Sequence, residues 1–390
     1  MTSARERGGG AVLRGRLVTG GSVVEDGGGA VLDDRIGYAG PAAGFAGDLP
    51  PAAPDRLLLP GLVDLHCHGG GGHGFPDGDT AGVRAAAAHH RRGGTTTLVA
   101  SLVSAPTEIL LARLDVLAPL VRAGELAGVH LEGPFLSAAR CGAQDPAALL
   151  PGDPALLRRL LAAGVVVSVT LAPETAHADE LVAVLREHGA LPSFGHTDAS
   201  AATTTAAVRS AARTGRVSAT HLFNGMPPML SRAPGPVAAC LAAAGRGELV
   251  VELVADGVHL APETVAAVFD LVGPAQVALV SDAMAAAGMP DGGYRLGGLP
   301  VTVSGGVARL TTGGAIAGGT SRLLDVVRCT VAAGVPLADV VLAATQTPAD
   351  LLGRTDVGRL VAGARADVLV TDPDLAPVAV LAAGTHLLED

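Results

Sequence analysis

A chain of 390 residues with 49% hydrophobic side chains can bury a large core, as one large domain with a small one appended or as two domains. Aromatics make up 2% and tryptophan is absent, so that core is Ala, Val and Leu packed around glycine, and a net charge of −10 argues against a nucleic-acid backbone or an anionic membrane surface as partner, leaving room only for a local basic site. All 27 basic residues are arginine; a GC-rich coding bias accounts for this, and it excludes chemistry at a lysine amine, a Schiff base or a carbamylated lysine.

In chain order, the start MTSARERGGG lacks the apolar h-region of a leader, and no stretch reaches 18 uninterrupted apolar residues. Cys67, Cys141, Cys240 and Cys329 are scattered without a CxxC, which favours reduced thiols. The expectation is a soluble, cytoplasmic protein. The first 58 or so residues hold short β-like pieces, AVLRGRLVTG, SVVED, AVLDDRIGYAG and DRLLLPG, parted by glycine-rich turns. From Gly61 the texture changes to eight apolar runs: LVDLH, TTTLVAS, LAGVHLE, GVVVSVTLAPE, LPSFGHT, RVSATHLFN, ELVVELVADGVH and QVALVSDA. Each reads as a strand buried on both faces. Between most of them lie helical stretches such as TAGVRAAAAHHRRG and ASAATTTAAVRSAARTG, with Thr, Ser or Asp near the start. Eight alternations predict a (β/α)8 TIM barrel. A β-like insertion, YRLGGLPVTVSGGVARLTTGG, follows the eighth run, then two closing helices in SRLLDVVRCTVAAGVPLADVVLAATQTPADLLG, then a tail of β texture. The expected division is a small β-sandwich domain formed by residues 1–58 and 358–390, around a barrel of residues 59–357.

Polar residues recur at the carboxyl ends of these runs: His66 and His68 at the first, His130 and Glu132 at the third, His196 at the fifth, His221 at the sixth, Asp256 and His259 after the seventh, Asp282 at the eighth. In a β/α barrel those ends share one face, where active sites lie. Residues i and i+2 of a strand share a side, so His66 and His68 point the same way. A lone histidine at a strand end is most often a hydrogen-bonded core or surface residue, and Glu132 could cap the next helix. Recurrence at five of eight ends, and just beyond a sixth, is harder to ascribe to chance, and imidazole with carboxylate suits Zn²⁺ and related divalent ions. His89, His90, His177 and His188 lie in helix-like stretches and are assigned to solvated faces.

The motifs PGLVDLHCHG, HLEGPFLS followed by RCGAQDP, SFGHTDA, THLFNGMPP followed by SRAPG, ADGVH and LVSDAM span residues 60–284, and QTPADLLG and GRLVAGARADVLV extend the pattern over nearly the whole chain. In these the chain resembles the N-acetylglucosamine-6-phosphate deacetylases of the amidohydrolase superfamily. The resemblance implies metal-dependent removal of an N-acetyl group, yielding glucosamine 6-phosphate and acetate, by a centre of one or two divalent ions per subunit, with Zn²⁺ the leading candidate. It implies that Glu132, His196 and His221 hold the main metal, that His66 and His68 hold a second, and that Asp282 is the general base and acid. Ala143, Gln144, Asn224, Gly225, Arg232, His259, Ile316, Ala317 and Gly318 match substrate-contacting positions, with Arg232 and His259 as phosphate partners. A homodimer is implied because family phosphate contacts come partly from a neighbouring subunit.

Without lysine, the carbamylated-lysine bridge of the dihydroorotase and hydantoinase type is ruled out, and Glu132 offers a carboxylate instead. Two positions depart from the pattern. Gln144 stands where many members have histidine: either a second metal takes over carbonyl polarisation, with full activity then needing two metal equivalents, or Gln144 contacts a sugar hydroxyl. Gly225 stands where alanine is common and is expected to matter little. The rival readings are another amidohydrolase activity, such as a nucleobase deaminase or an isoaspartyl dipeptidase, and an inactive scaffold on the same fold.

Overall fold

The computed structural model describes residues 10–387; the reading of the first nine residues as lacking a leader lies outside them. All eight runs form strands: Leu62–Cys67, Thr95–Val103, Gly128–Glu132, Val166–Leu171, Leu191–Phe194, Ser218–Ala219, Val250–Leu253 and Val277–Leu279. They lie in chain order in one parallel sheet. The sheet closes through a single parallel bridge between Cys67 and Ala283. There the Asp282 amide donates to the His66 carbonyl at 2.8 Å, and the His68 amide donates to the Ala283 carbonyl at 2.6 Å. Parallel strands need crossovers, and helices supply them. Three of these start on side chains that satisfy free amides: Asp79 accepts from Gly82, Asp153 from Ala155 and Leu156, and Ser200 from Thr203.

The runs are not uniformly apolar. Towards the mouth of the barrel the interior is polar, with Ser101, His130, Thr170, Ser193, Ser218 and Glu252 all buried. Below them Val63, Val99, Leu191, Ala278 and Val280 form an apolar layer against Ala349 and Leu351.

The terminal segments meet in one seven-stranded sheet. Leu57–Pro60 lies at its centre, parallel to Val12–Thr19 and antiparallel to Val368–Thr371. Alternate residues of this strand serve two cores: Leu58 joins Leu17, Val31, Ile36, Val368, Val370 and Leu381, while Leu57 and Leu59 join the barrel's helical shell. The pieces SVVED and AVLDD are one continuous strand, Ser22–Leu32. Its central glycines permit close approach instead of turning the chain: a Cβ on Gly27 would lie 2.5 Å from the Leu17 Cβ.

The insertion is a three-stranded antiparallel sheet, Gly292–Leu296, Leu299–Ser304 and Val307–Leu310. Three closing helices, not two, follow it: Leu323–Ala332, Leu337–Ala344 and Gln346–Leu351. The second and third are separated at Thr345, whose backbone (φ −134°, ψ −78°) leaves the helical region.

Candidate metal and active site

The strand ends deliver two adjoining donor sets, Glu132 with His196 and His221, and His66 with His68 and Asp282; within each set one ligand atom per residue lies within 4.8 Å of the others. All six side chains are buried. Glu132 is central. Its Oε1 lies 2.8 Å from His196 Nε2 and 2.9 Å from His221 Nε2, while Oε2 lies 3.2 Å from His68 Nε2. Asp282 Oδ1 is 3.4 Å from His66 Nε2 and 3.3 Å from His68 Nε2.

Three of the six have left-handed backbones: His196 (φ 47°), His221 (φ 26°) and Asp282 (φ 47°). Such torsions are uncommon outside glycine and cluster where surrounding structure enforces them. Here each follows a strand and turns its side chain across the barrel mouth.

The donor chemistry fits divalent cations. The six residues offer four Nε2 atoms and two carboxylates converging on a small volume, and His66 Nε2 approaches His68 Nε2 to 3.0 Å. Burial alone would raise the Glu132 carboxyl, but hydrogen bonds from His196 and His221 hold it well below the usual range. Burial would likewise lower His66, His68 and His196, yet the facing carboxylates raise all three above the ordinary imidazole value. The site therefore draws positive charge inwards, and a divalent ion delivers that charge without occupying Nε2 with a proton.

The other expected residues are placed as follows. Gln144 is buried with both ends of its amide engaged by the protein: Nε2 donates to Glu132 Oε2 at 2.7 Å, and Oε1 accepts from the Ser104 amide at 2.7 Å. Ala143 is half-buried beside it. Asn224 donates to the His221 carbonyl at 3.3 Å. Gly225 (φ 63°) faces the His196 ring, and an added Cβ would sit 2.9 Å from Nδ1. A methyl there would therefore require the His196 ring to shift. His259 Nδ1 bonds Asp256 Oδ2 at 2.8 Å, and its Nε2 lies 3.8 Å from Asp282 Oδ2. Burial opposes its charge, and these carboxylates prevail and raise it. Gly319 bonds the Asp282 carbonyl through its amide at 2.6 Å, which sets Ile316, Ala317 and Gly318 beside the eighth strand end. Arg232 is exposed on the turn before helix Gly235–Ala244.

His90 departs from expectation. It is fully buried, 2.9 Å from the Gly69 carbonyl and 3.3 Å from Cys67 Sγ, and burial pushes it down to about 4. His89 is half-buried, while His177 and His188 are exposed as expected. Sequence reasoning also passed over Glu252 and Asp64, both buried acids. The signal was present, since each interrupts an otherwise apolar stretch, VVEL and LVDL.

Residues 57–387 match the amidohydrolase family, and the chain belongs to it. Among solved structures it is similar to a mutant N-acetyl-D-glucosamine-6-phosphate deacetylase from Mycobacterium smegmatis in complex with N-acetyl-D-glucosamine-6-phosphate, with 40% identity, a TM-score of 0.90, and coverage of 98% of this chain and 100% of that one. Among characterised relatives it is 34% identical to the N-acetylglucosamine-6-phosphate deacetylase of Bacillus subtilis over 277 residues, 67% of each chain. It is 32% identical to the N-acetylgalactosamine-6-phosphate deacetylase of Escherichia coli O157:H7 over 328 residues, 82% of this chain and 85% of that one.

Proposed function

We infer that this chain is a metal-dependent N-acetylglucosamine-6-phosphate deacetylase, releasing acetate and glucosamine 6-phosphate. The single observation that carries this is the pair of adjoining donor sets at the barrel mouth, in a chain so similar to the mycobacterial deacetylase that holds this substrate. Glu132, His196 and His221 would hold one ion and His66 and His68 a second. Imidazole and carboxylate donors suit Zn²⁺ among the divalent ions. The bound ion supplies a water of lowered pKa and stabilises negative charge developing on the acetyl oxygen.

Asp282 serves as base and then acid. Burial would raise its carboxyl, but in the metal-free protein His66 and His68 outweigh that and keep it ionised; as the anion it is the group that takes the proton of the attacking water. It then returns a proton to the amine, which is too basic to leave as an anion. His259, beside Asp282, is assigned to this reacting end, and Gln144 to orienting Glu132. The phosphate falls to Arg232, whose guanidinium fork matches phosphate oxygens. Exposed Met229 and Leu230 flank Arg232 and support a homodimer in which that turn meets a neighbouring subunit. No described helix is long and apolar enough to cross a membrane, in keeping with a cytoplasmic setting. Residues 59–357 are taken as the catalytic barrel, with 1–58 and 358–390 as the β domain.

The test is acetate release from N-acetylglucosamine 6-phosphate, its C4 epimer N-acetylgalactosamine 6-phosphate, and unphosphorylated N-acetylglucosamine. Preferential turnover of the first is expected; turnover of none, with Zn²⁺ supplied, defeats the reading. Asp282→Asn is expected to lower kcat by roughly 10²–10⁴ while KM changes little.

A further inference from the structure

Each metal-facing histidine needs its Nε2 lone pair free, so the ring proton sits on Nδ1, where an acceptor fixes the tautomer and ring orientation. His196 meets this need with a backbone carbonyl: its Nδ1 lies 2.8 Å from the Arg140 oxygen. His66, His68 and His221 each have a buried Nδ1 without a hydrogen-bond partner, and of these His66 is the one whose Nδ1 faces a carboxylate. That Nδ1 faces Glu252 Oε2 at 3.7 Å, longer than a hydrogen bond.

Glu252 comes from the seventh strand, far along the chain from His66, and is 5% exposed. A carboxylate buried in a barrel interior is costly unless something requires it. Its Oε1 is occupied: Ser218 Oγ donates at 3.0 Å, with Ser193 Oγ 3.4 Å away. Ser218 also bonds Ser193 at 2.7 Å, so the two hydroxyls brace one another. That leaves Oε2 as the free oxygen, on the His66 side.

We propose that Glu252 is the positioning residue of the His66/His68 metal site: braced by Ser193 and Ser218, it accepts the Nδ1 proton of His66 and fixes the tautomer and ring orientation that present Nε2 to the cation. Carboxylates behind metal-bound histidines typically contribute 10- to 100-fold to metal affinity. The proposal rests on reading these side chains as metal ligands, and it makes occupancy of the second site depend on a residue that touches neither metal nor substrate.

The experiment is titration of apo-protein with Co²⁺, followed by the visible absorption of each bound equivalent, for the native chain, Glu252→Gln and Glu252→Met. The native chain is expected to take up two equivalents. Glu252→Met is expected to bind the second 10- to 100-fold more weakly, with the first, at Glu132, His196 and His221, unchanged within about twofold; Glu252→Gln, which keeps an acceptor oxygen, falls between. A purely structural role would weaken both equivalents together or neither, and either result overturns the proposal. If Glu252→Met does not fold, Glu252→Gln decides: unchanged affinity for the second equivalent overturns the proposal, and selective weakening supports it. A native chain that binds no cation sinks the metal-site reading itself. Two tight equivalents in a folded Glu252→Met sink only the role of Glu252.

Discussion

Gly225 shows how narrowly the site is cut. Its left-handed φ disfavours any side chain by roughly 1–2 kcal/mol, and a methyl would press on the His196 ring at 2.9 Å. His196 in turn has a left-handed backbone and bonds both Arg140 and Glu132, so it has little freedom to retreat. Because alanine is common at this position in the deacetylases the chain resembles, Gly225→Ala is expected to keep the fold and lower kcat/KM only as far as the His196 ring must shift, with the first metal equivalent weakened in step. Steady-state kinetics with a metal titration check this; native-like values for both would show that the ring yields cheaply. The six side chains of the two donor sets were legible in the sequence because each stands at the end of an apolar run. Glu252 and His90 were not found, for a different reason. Both are buried polar residues judged by type, when spacing carried the information: Val83, Ala86, Ala87 and His90 recur at three and four residues and so share the buried face of helix Thr80–Arg92.

Among the elements, the joint between first and eighth strands is the weakest part of the barrel. One bridge joins them, and Asp64 reinforces it by accepting from Ser281 Oγ at 2.6 Å and from the Ser281 amide at 3.2 Å. Burial raises the Asp64 carboxyl to about 6, against the partial relief of those bonds. A carboxyl raised on folding contributes stability that is present below its unfolded value and lost as pH climbs through the folded one. Ionised Asp64 is thus a burden at neutral pH, and Asp64→Asn removes that titration. In urea unfolding of the two apo-proteins, the variant is expected to gain about 1 kcal/mol relative to the native chain between pH 5 and pH 7.5. A difference independent of pH would show that Asp64 does not titrate there. Strand and helix order was legible throughout because buried parallel strands and alanine-rich crossovers differ so strongly in composition. The third closing helix was not, since the break at Thr345 is a local backbone event inside a continuous helical composition.

At the scale of the whole molecule, the barrel brings two carboxylates and four imidazoles from five strand ends into one buried volume. A cation there joins residues from Leu62–Cys67 through to the end of the eighth strand, so its binding energy is also folding energy. At a thousandfold excess over Kd it adds about 4 kcal/mol. Chelation is expected to lower Tm, and Zn²⁺ to restore it. The size of that gap has a defined pH dependence. Protons and cation compete for the same Nε2 atoms, and His66, His68 and His196 all sit above their ordinary value of 6.5. Cation affinity must then rise with pH through a window lying above 6.5. In the apo-protein the same raised imidazoles stabilise the fold below their unfolded value and lose that contribution as pH rises through the folded one. Glu132 and Asp282, both lowered, are fully ionised across this window and add no slope. Both effects act in one direction, so the difference in Tm between metal-loaded and chelated protein is expected to be wider at pH 8 than at pH 6. Thermal melts at the two pH values, with and without chelator, measure it. A gap that narrows towards pH 8 would mean that these histidines do not exchange protons for metal, and that the charge drawn into the barrel mouth has another purpose.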